Sequence, residues 1–93
     1  MSLIHIKRDH HLTRDAARAR VEDMARKLED EFKLEHRWDD NVLRFKRSGA
    51  NGAIGVGEDS LEIKIKLGLV LAPMKKKIEQ AIRKSLDEFD AAG

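Results

Sequence analysis

Residues 61–68 read LEIKIKLG, apolar and charged in near-perfect alternation. Leu61, Ile63, Ile65 and Leu67 therefore share one face of a strand, and Glu62, Lys64 and Lys66 share the other. The same period of two runs through SLIHIKR at residues 2–8, with Ile4 and Ile6 on one side and His5 and Lys7 on the other. Between Thr13 and about Lys33 the period changes. Ala17, Val21, Met24, Ala25, Leu28 and Phe32 recur at steps of three and four, the apolar stripe of an amphipathic helix. Thr13 is suited to cap that helix and Asp15 to its first turn. Arg18–Glu22, Glu22–Arg26 and Arg26–Asp30 stand at i,i+4 on its polar side, each pair worth roughly 0.2–0.5 kcal/mol.

EHRWDDNVLRFKRSG predicts two short strands around an Asp39-Asp40-Asn41 turn, with Trp38, Leu43 and Phe45 inward and Arg37, Arg44 and Lys46 outward. SGANG reads as a second turn, with Gly49 and Gly52 as turn glycines, and AIGVG as a short strand with Ile54 and Val56 inward. GEDS is a third turn. Pro73 marks the start of a second long helix, whose stripe is Met74, Ile78, Ala81, Ile82, Ser85, Leu86 and Phe89 and which ends near Asp90. The order β-α-β-β-β-β-α predicts an α+β fold. It would be an antiparallel meander with an N-terminal strand and both helices on one face, compatible with a shortened helix-grip-like arrangement. One domain would span residues 1–93. That length leaves little room for a ligand cavity between the sheet and the last helix in addition to a core.

Composition narrows the chemistry. The chain has 19 basic and 17 acidic residues, net +2, so any preference for an anionic partner must come from local clustering. It has no cysteine, which excludes disulfides and thiolate metal sites and suits a reducing cytoplasm. The opening MSLIHIKRDHH does not read as a signal peptide, and no segment has the apolar length of a membrane span; the expected location is cytoplasmic. His10 and His11 read as exposed loop histidines rather than metal ligands, since neither has a histidine partner at helical spacing. GANGAIGVG lacks the Gly-Lys-Ser/Thr and following helix of a phosphate loop. Ser48, Ser60 and Ser85 have no paired histidine and acid at a recognisable spacing. No catalytic residue, cofactor or metal site is assigned, and the expectation is a protein that is not an enzyme.

Four features depart from a uniform solvated surface. The outward positions of the strands collect His5, Lys7, Arg37, Arg44, Lys46, Lys64 and Lys66 against Asp39 and Glu62, a strongly positive sheet face. Ala53, Gly55 and Gly57 alternate, giving either a strand with a bare outward side or an irregular edge strand. The last helix carries Lys75, Lys76 and Lys77 in its first turn and Asp87, Glu88 and Asp90 in its last, the reverse of what the macrodipole favours. The lysines form either an anion site or salt bridges to acids of the first helix. Between the last strand and that helix, LGLVLAPM places Leu69, Val70, Leu71 and Met74 in a row, a candidate apolar contact or a segment buried under the helix.

The opening IHIKRDHHLTRDAARARVEDMARKLEDEF, the central LRFKRSGANGAIGV and the closing LEIKIKLGLVLAPMKKKIEQAIRKSLDEF together resemble the small bacterial polyhydroxyalkanoic acid system proteins. These are also called polyhydroxyalkanoate granule region proteins, and the resemblance covers about residues 3–89. It implies a setting at storage-polyester granules, with a granule-associated protein or the polyester surface as partner, and it carries no catalytic residues. The candidate partner face comprises Lys7, Arg44, Lys46, Lys64, Lys66 and Lys75–Lys77, beside the apolar residues 69–74; self-association is a further use of such an edge. The order helix, three strands, helix opening on KKK also looks like the layout of double-stranded RNA-binding domains, which makes RNA or another polyanion the alternative partner.

Overall fold

The computed structural model describes residues 2–92, with side chains through residue 88. Its elements are β1 (Ser2–Asp9), α1 (Arg14–Phe32), β2 (Glu35–Asp39), β3 (Val42–Arg47), β4 (Ala50–Val56), β5 (Ser60–Leu67), a 3-10 turn (Ala72–Met74) and α2 (Lys75–Ala92). The fold is α+β in the predicted order. The sheet is antiparallel throughout, with strands in the order β1-β5-β4-β3-β2. β1 and β2 therefore run in the same direction at opposite edges, and α1 crosses the sheet between them. The 69–74 connection brings the chain back along α2.

One face of the sheet carries the core. Across the strands, Ile6, Ile63, Ile54, Leu43 and Trp38 form one inward row, and Ile4, Ile65, Gly52, Phe45 and His36 the next. α1 lies against β2 and β4, and α2 against β1 and α1. The predicted α1 stripe is the buried stripe, residue for residue. Thr13 Oγ1 accepts the Ala16 N–H at 3.2 Å, and left-handed Lys33 closes the helix with its N–H on the Glu29 carbonyl at 2.9 Å. In α2, Ile78, Ile82, Ser85 and Leu86 are buried. The Phe89 side chain and the last-turn charge of Asp90 lie outside the described residues. Leu28 of α1, Ile54, Ile63 and Ile65 of the sheet and Ile78 and Ile82 of α2 are all at most 1% exposed. Among the described residues these large side chains stand where a helix-grip ligand would lie between sheet and helices.

Three local readings are corrected. α2 begins at Lys75, because Pro73 sits in the preceding 3-10 turn, so Met74 lies outside the helix. Gly52 belongs to β4, paired with Ile65 and Phe45, since the β3–β4 turn is only Ser48-Gly49 with Gly49 at φ +85°. β4 is not an edge, since it pairs with both β3 and β5, and the pairing of β1 with β5 makes it the central strand of five. Gly57 lies just past β4, its N–H bonded to the Ser60 carbonyl at 2.8 Å.

Candidate docking surface

The register places every predicted outward cation on the face away from the helices. His5, Lys64, Ala53, Arg44 and Arg37 form one row across all five strands, with Leu3, Lys66, Asn51, Lys46 and Glu35 on one side of it. Lys7, Glu62, Gly55, Val42 and Asp39 lie on the other side. The central strand contributes only Asn51, Ala53 and Gly55, and a Cβ built on Gly55 would meet nothing within 4 Å. The result is a shallow trough floored by β4 and walled by Lys64 and Lys66 from β5 and by Arg44 and Lys46 from β3. With strands roughly 4.8 Å apart, the two cationic walls stand about 10 Å from each other.

The acids on this face are Glu35, Asp39 and Glu62, the first of them not anticipated. Glu62 is bonded to His5 Nε2 at 2.9 Å and Asp39 to Arg44 Nε at 3.3 Å. The His5 hydrogen bond, then Lys64 nearby, hold the Glu62 carboxyl below its ordinary range. Among the described residues, Lys7, Arg37, Lys46, Lys64 and Lys66 have no ion-pair partner. The carboxylates sit at the β2 edge and in the outermost of the three rows, so the middle of the face is left positive.

Strand directions also sort charge along the molecule. At one end lie the start of β1, the β3–β4 turn, the 68–74 connection and the first turn of α2. This basic end holds Lys33, Lys46, Lys66 and Lys75–Lys77. The opposite end gathers the β1–α1, β2–β3 and β4–β5 connections with Asp9, Asp39, Asp40, Glu58 and Asp59, as the 2.8 Å bond from the His10 N–H to the Asp59 carbonyl attests. Of the acids expected in the last turn of α2, Asp87 and Glu88 stand one turn earlier, since the helix runs to Ala92: Asp87 pairs with Arg8 at the acidic end at 3.8 Å, and Glu88 meets Lys27 of α1 at 3.4 Å. Half of the inverted charge pattern of α2 is thus used in tertiary ion pairs. The other half is not. Lys75, Lys76 and Lys77 make no ion pair among the described residues, so the salt bridges to α1 do not form. Asp30 and Glu31 at the end of α1, Glu35 at the start of β2 and Glu79 one turn into α2, paired with Arg83, bring acids to the basic end.

The apolar segment after β5 divides in two. Leu69 and Val70 are 82% and 84% exposed, whereas Leu71 is 5% exposed and Met74 is half-buried against the core. Gly68 and Leu71 hold the loop down: the Gly68 N–H bonds the Gly49 carbonyl at 2.8 Å, and Leu71 lies over Gly49. Leu71 is spent on folding, and the candidate apolar contact reduces to Leu69 and Val70, with half-exposed Leu3 beginning β1 at the same end.

Two polar clusters were not visible in the sequence. His10 is 5% exposed rather than an exposed loop histidine. Its Nδ1 accepts the Leu12 N–H at 3.2 Å, so Nε2 carries the proton donated to the Gly57 carbonyl at 3.2 Å. Both ring nitrogens are occupied in tying the β1–α1 connection to the β4–β5 turn, and His11 is exposed. At the other edge, His36 lies between Glu29 and Glu22, 2.9 and 3.0 Å from its ring nitrogens, and Glu22 also receives the Trp38 Nε1–H at 2.9 Å and Arg26 at 2.9 Å. Partial burial works against ionisation of Glu22, but the bonds from Trp38, His36 and Arg26 outweigh it and hold the carboxyl below its ordinary value. Arg18 stacks on Trp38 with its guanidinium 4.6 Å from a ring centroid, so of the three i,i+4 pairs expected on α1 only Glu22–Arg26 forms. The expected inward Trp38 is a half-buried plate at the sheet edge. Among the described residues no three His, Asp or Glu side chains converge as a metal site.

These features define a small α+β protein with one helix-free, largely cationic sheet face and a basic end carrying two exposed aliphatic side chains. Residues 4–89 match the family model described as "Putative polyhydroxyalkanoic acid system protein", and the chain belongs to that family. No curated protein and no solved structure matches the chain. None of the described helices is long and apolar enough to cross a membrane.

Proposed function

We propose that the chain is a non-enzymatic accessory protein of the polyhydroxyalkanoate system that docks on the storage granule, on its surface or on a protein there, through the basic end. Family membership supplies the setting. The observation that carries the docking is the exposure of Leu69 and Val70, 82% and 84%, within six residues of Lys66 and Lys75 and held there by the Gly68–Gly49 bond. Two adjacent exposed aliphatic side chains on a fixed loop lose about 1.5–3 kcal/mol each of available burial while they face water. Neighbouring unpaired lysines add attraction to any negatively charged surface. Co-sedimentation with purified polyester granules tests the reading: wild type should pellet with them and the Leu69→Ser/Val70→Ser variant should stay in the supernatant. Equal distribution of the two proteins would reject it.

The alternative partner, RNA or another polyanion, is supported by the trough, where Lys46, Lys64 and Lys66 stand unpaired around a bare floor. The Trp38, Phe32 and Phe45 side chains belong to the core side, so none of these rings is placed to stack on bases from the trough, and His5 lies at its rim, bonded to Glu62. Any such binding would run mainly through phosphates and weaken steeply with salt. A low-salt gel shift that is unchanged in Lys64→Glu/Lys66→Glu would remove this second reading.

A further inference from the structure

We infer that the basic end is built to meet an anionic lipid surface, with Leu69 and Val70 entering the headgroup layer and Lys66 and Lys75–Lys77 on its phosphates. The inference rests on the docking reading above and specifies the surface. A protein partner would be matched by a shaped, partly polar patch. Here the contact is two aliphatic side chains on a narrow loop, with free cations on both sides of it: Lys46 and Lys66 from the sheet face, Lys75–Lys77 from the helix layer. A flexible point charge on a long stem beside a shallow apolar anchor suits a layer whose negative groups are mobile and whose interior is apolar.

Charge sorting sets the orientation. Asp9, Asp39, Asp40, Glu58, Asp59 and Asp87 lie at the opposite end, about the length of a strand away. An eight-residue strand spans roughly 27 Å, several Debye lengths at physiological salt, so these acids would not oppose the approach. The same acids are repelled by the surface, which leaves the molecule end-on. Glycerophospholipid headgroups of net charge −1 supply the chemistry; a neutral zwitterionic surface offers the apolar layer without the attraction.

The test is sedimentation of the full chain with vesicles of phosphatidylcholine alone and of phosphatidylcholine with phosphatidylglycerol, at 0.1 and 0.5 M NaCl. Binding is expected only to the anionic vesicles and only at the lower salt. Each of Lys75→Gln, Lys76→Gln and Lys77→Gln should lower partitioning roughly 5-fold, and Leu69→Ser/Val70→Ser by at least about tenfold. Glu58→Gln/Asp59→Asn, at the acidic end, should leave it unchanged. Melting temperatures of the exposed-site variants should match wild type, so loss of binding would not report unfolding. Equal binding to neutral and anionic vesicles, or undiminished binding of the basic-end variants, overturns the inference. So does RNA binding at low salt without vesicle binding. Granule pelleting without vesicle binding overturns the lipid inference and leaves the granule reading intact. Vesicle binding without granule pelleting supports the lipid inference and removes the granule reading.

Discussion

Trp38 Nε1 donates to Glu22 Oε1 at 2.9 Å, joining the edge strand β2 to the middle of α1 across sixteen residues of sequence. The same carboxylate accepts from His36 and Arg26. Glu22→Gln keeps an acceptor for Trp38 and removes the charge that Arg26 answers and that His36 is bonded to, at a cost of about 1.5–3 kcal/mol near neutral pH. The folded carboxyl titrates below its unfolded value. Its contribution is therefore fully present above the unfolded value, about 4.3, and is lost as pH falls through the folded one. Urea unfolding of wild type and variant should give curves that stand apart at pH 7 and draw together as pH falls below the ordinary carboxylate range. A constant gap would show that the charge of Glu22 contributes nothing.

Gly52 and Gly55, three residues apart on β4, should respond oppositely to a methyl group. A Cβ at Gly52 would stand 2.5 Å from the Lys64 carbonyl oxygen and 2.9 Å from the Ile65 Cα, backbone atoms that cannot step aside without opening the β4–β5 ladder. Gly52→Ala should cost more than about 2 kcal/mol. At Gly55 the space is open, and Gly55→Ala should be neutral or stabilise by about 0.4–1 kcal/mol through the unfolded chain. Thermal melts of the two variants are the check.

Both results turn on where β4 lies, and that was the least legible part of the fold. The strands and their faces follow from period two: the alternation of Lys64 and Lys66 with Ile63 and Ile65 already places the lysines opposite the core. Which strand is central depends on β1 pairing with β5, through Ile4 with Ile65 and Ile6 with Ile63, some sixty residues apart. Nothing local encodes that choice. The candidate face was legible for the same reason that the strands were, and the alternation of Ala53 and Gly55 offered the bare outward side of β4 as one of two readings; its place in the middle of the face was not legible. The loop 69–74 shows a different limit. Leu69, Val70, Leu71 and Met74 are alike in composition, and what separates them is tertiary: Leu71 joins the core cluster over Gly49 and Met74 packs partly against it, whereas Leu69 and Val70 face out. Arg18 is a third case: helical spacing offers it Glu22, whereas the neighbouring strand offers the face of Trp38. A cation over an indole is worth about 0.5–1 kcal/mol even when exposed and more as burial grows, against roughly 0.2–0.5 kcal/mol for an exposed i,i+4 pair.

His10 fastens two connections at the acidic end. His10→Leu preserves apolar bulk but leaves the Leu12 N–H and the Gly57 carbonyl without the partners they have now. Unsatisfied groups of this kind cost about 1–3 kcal/mol each. The expected result is a destabilised chain in which amide hydrogen exchange quickens first around residues 10–12 and 57–60. If exchange there is unchanged while global stability falls, the histidine acts through packing alone.

The loop after β5 offers the sharpest separation of folding from function. Leu71 is 5% exposed over Gly49, and Leu69 is 82% exposed two residues earlier. Truncating a buried leucine removes its transfer energy and leaves a cavity, so Leu71→Ala should cost about 2–5 kcal/mol in urea unfolding. Truncating an exposed one should stay within roughly 0.5 kcal/mol of wild type. Leu69→Ala and Val70→Ala are therefore expected to fold like the parent and to differ from it only where a surface is present to receive them. If Leu69→Ala destabilises as much as Leu71→Ala, residue 69 is part of the core, and the exposed aliphatic pair on which the docking depends does not exist.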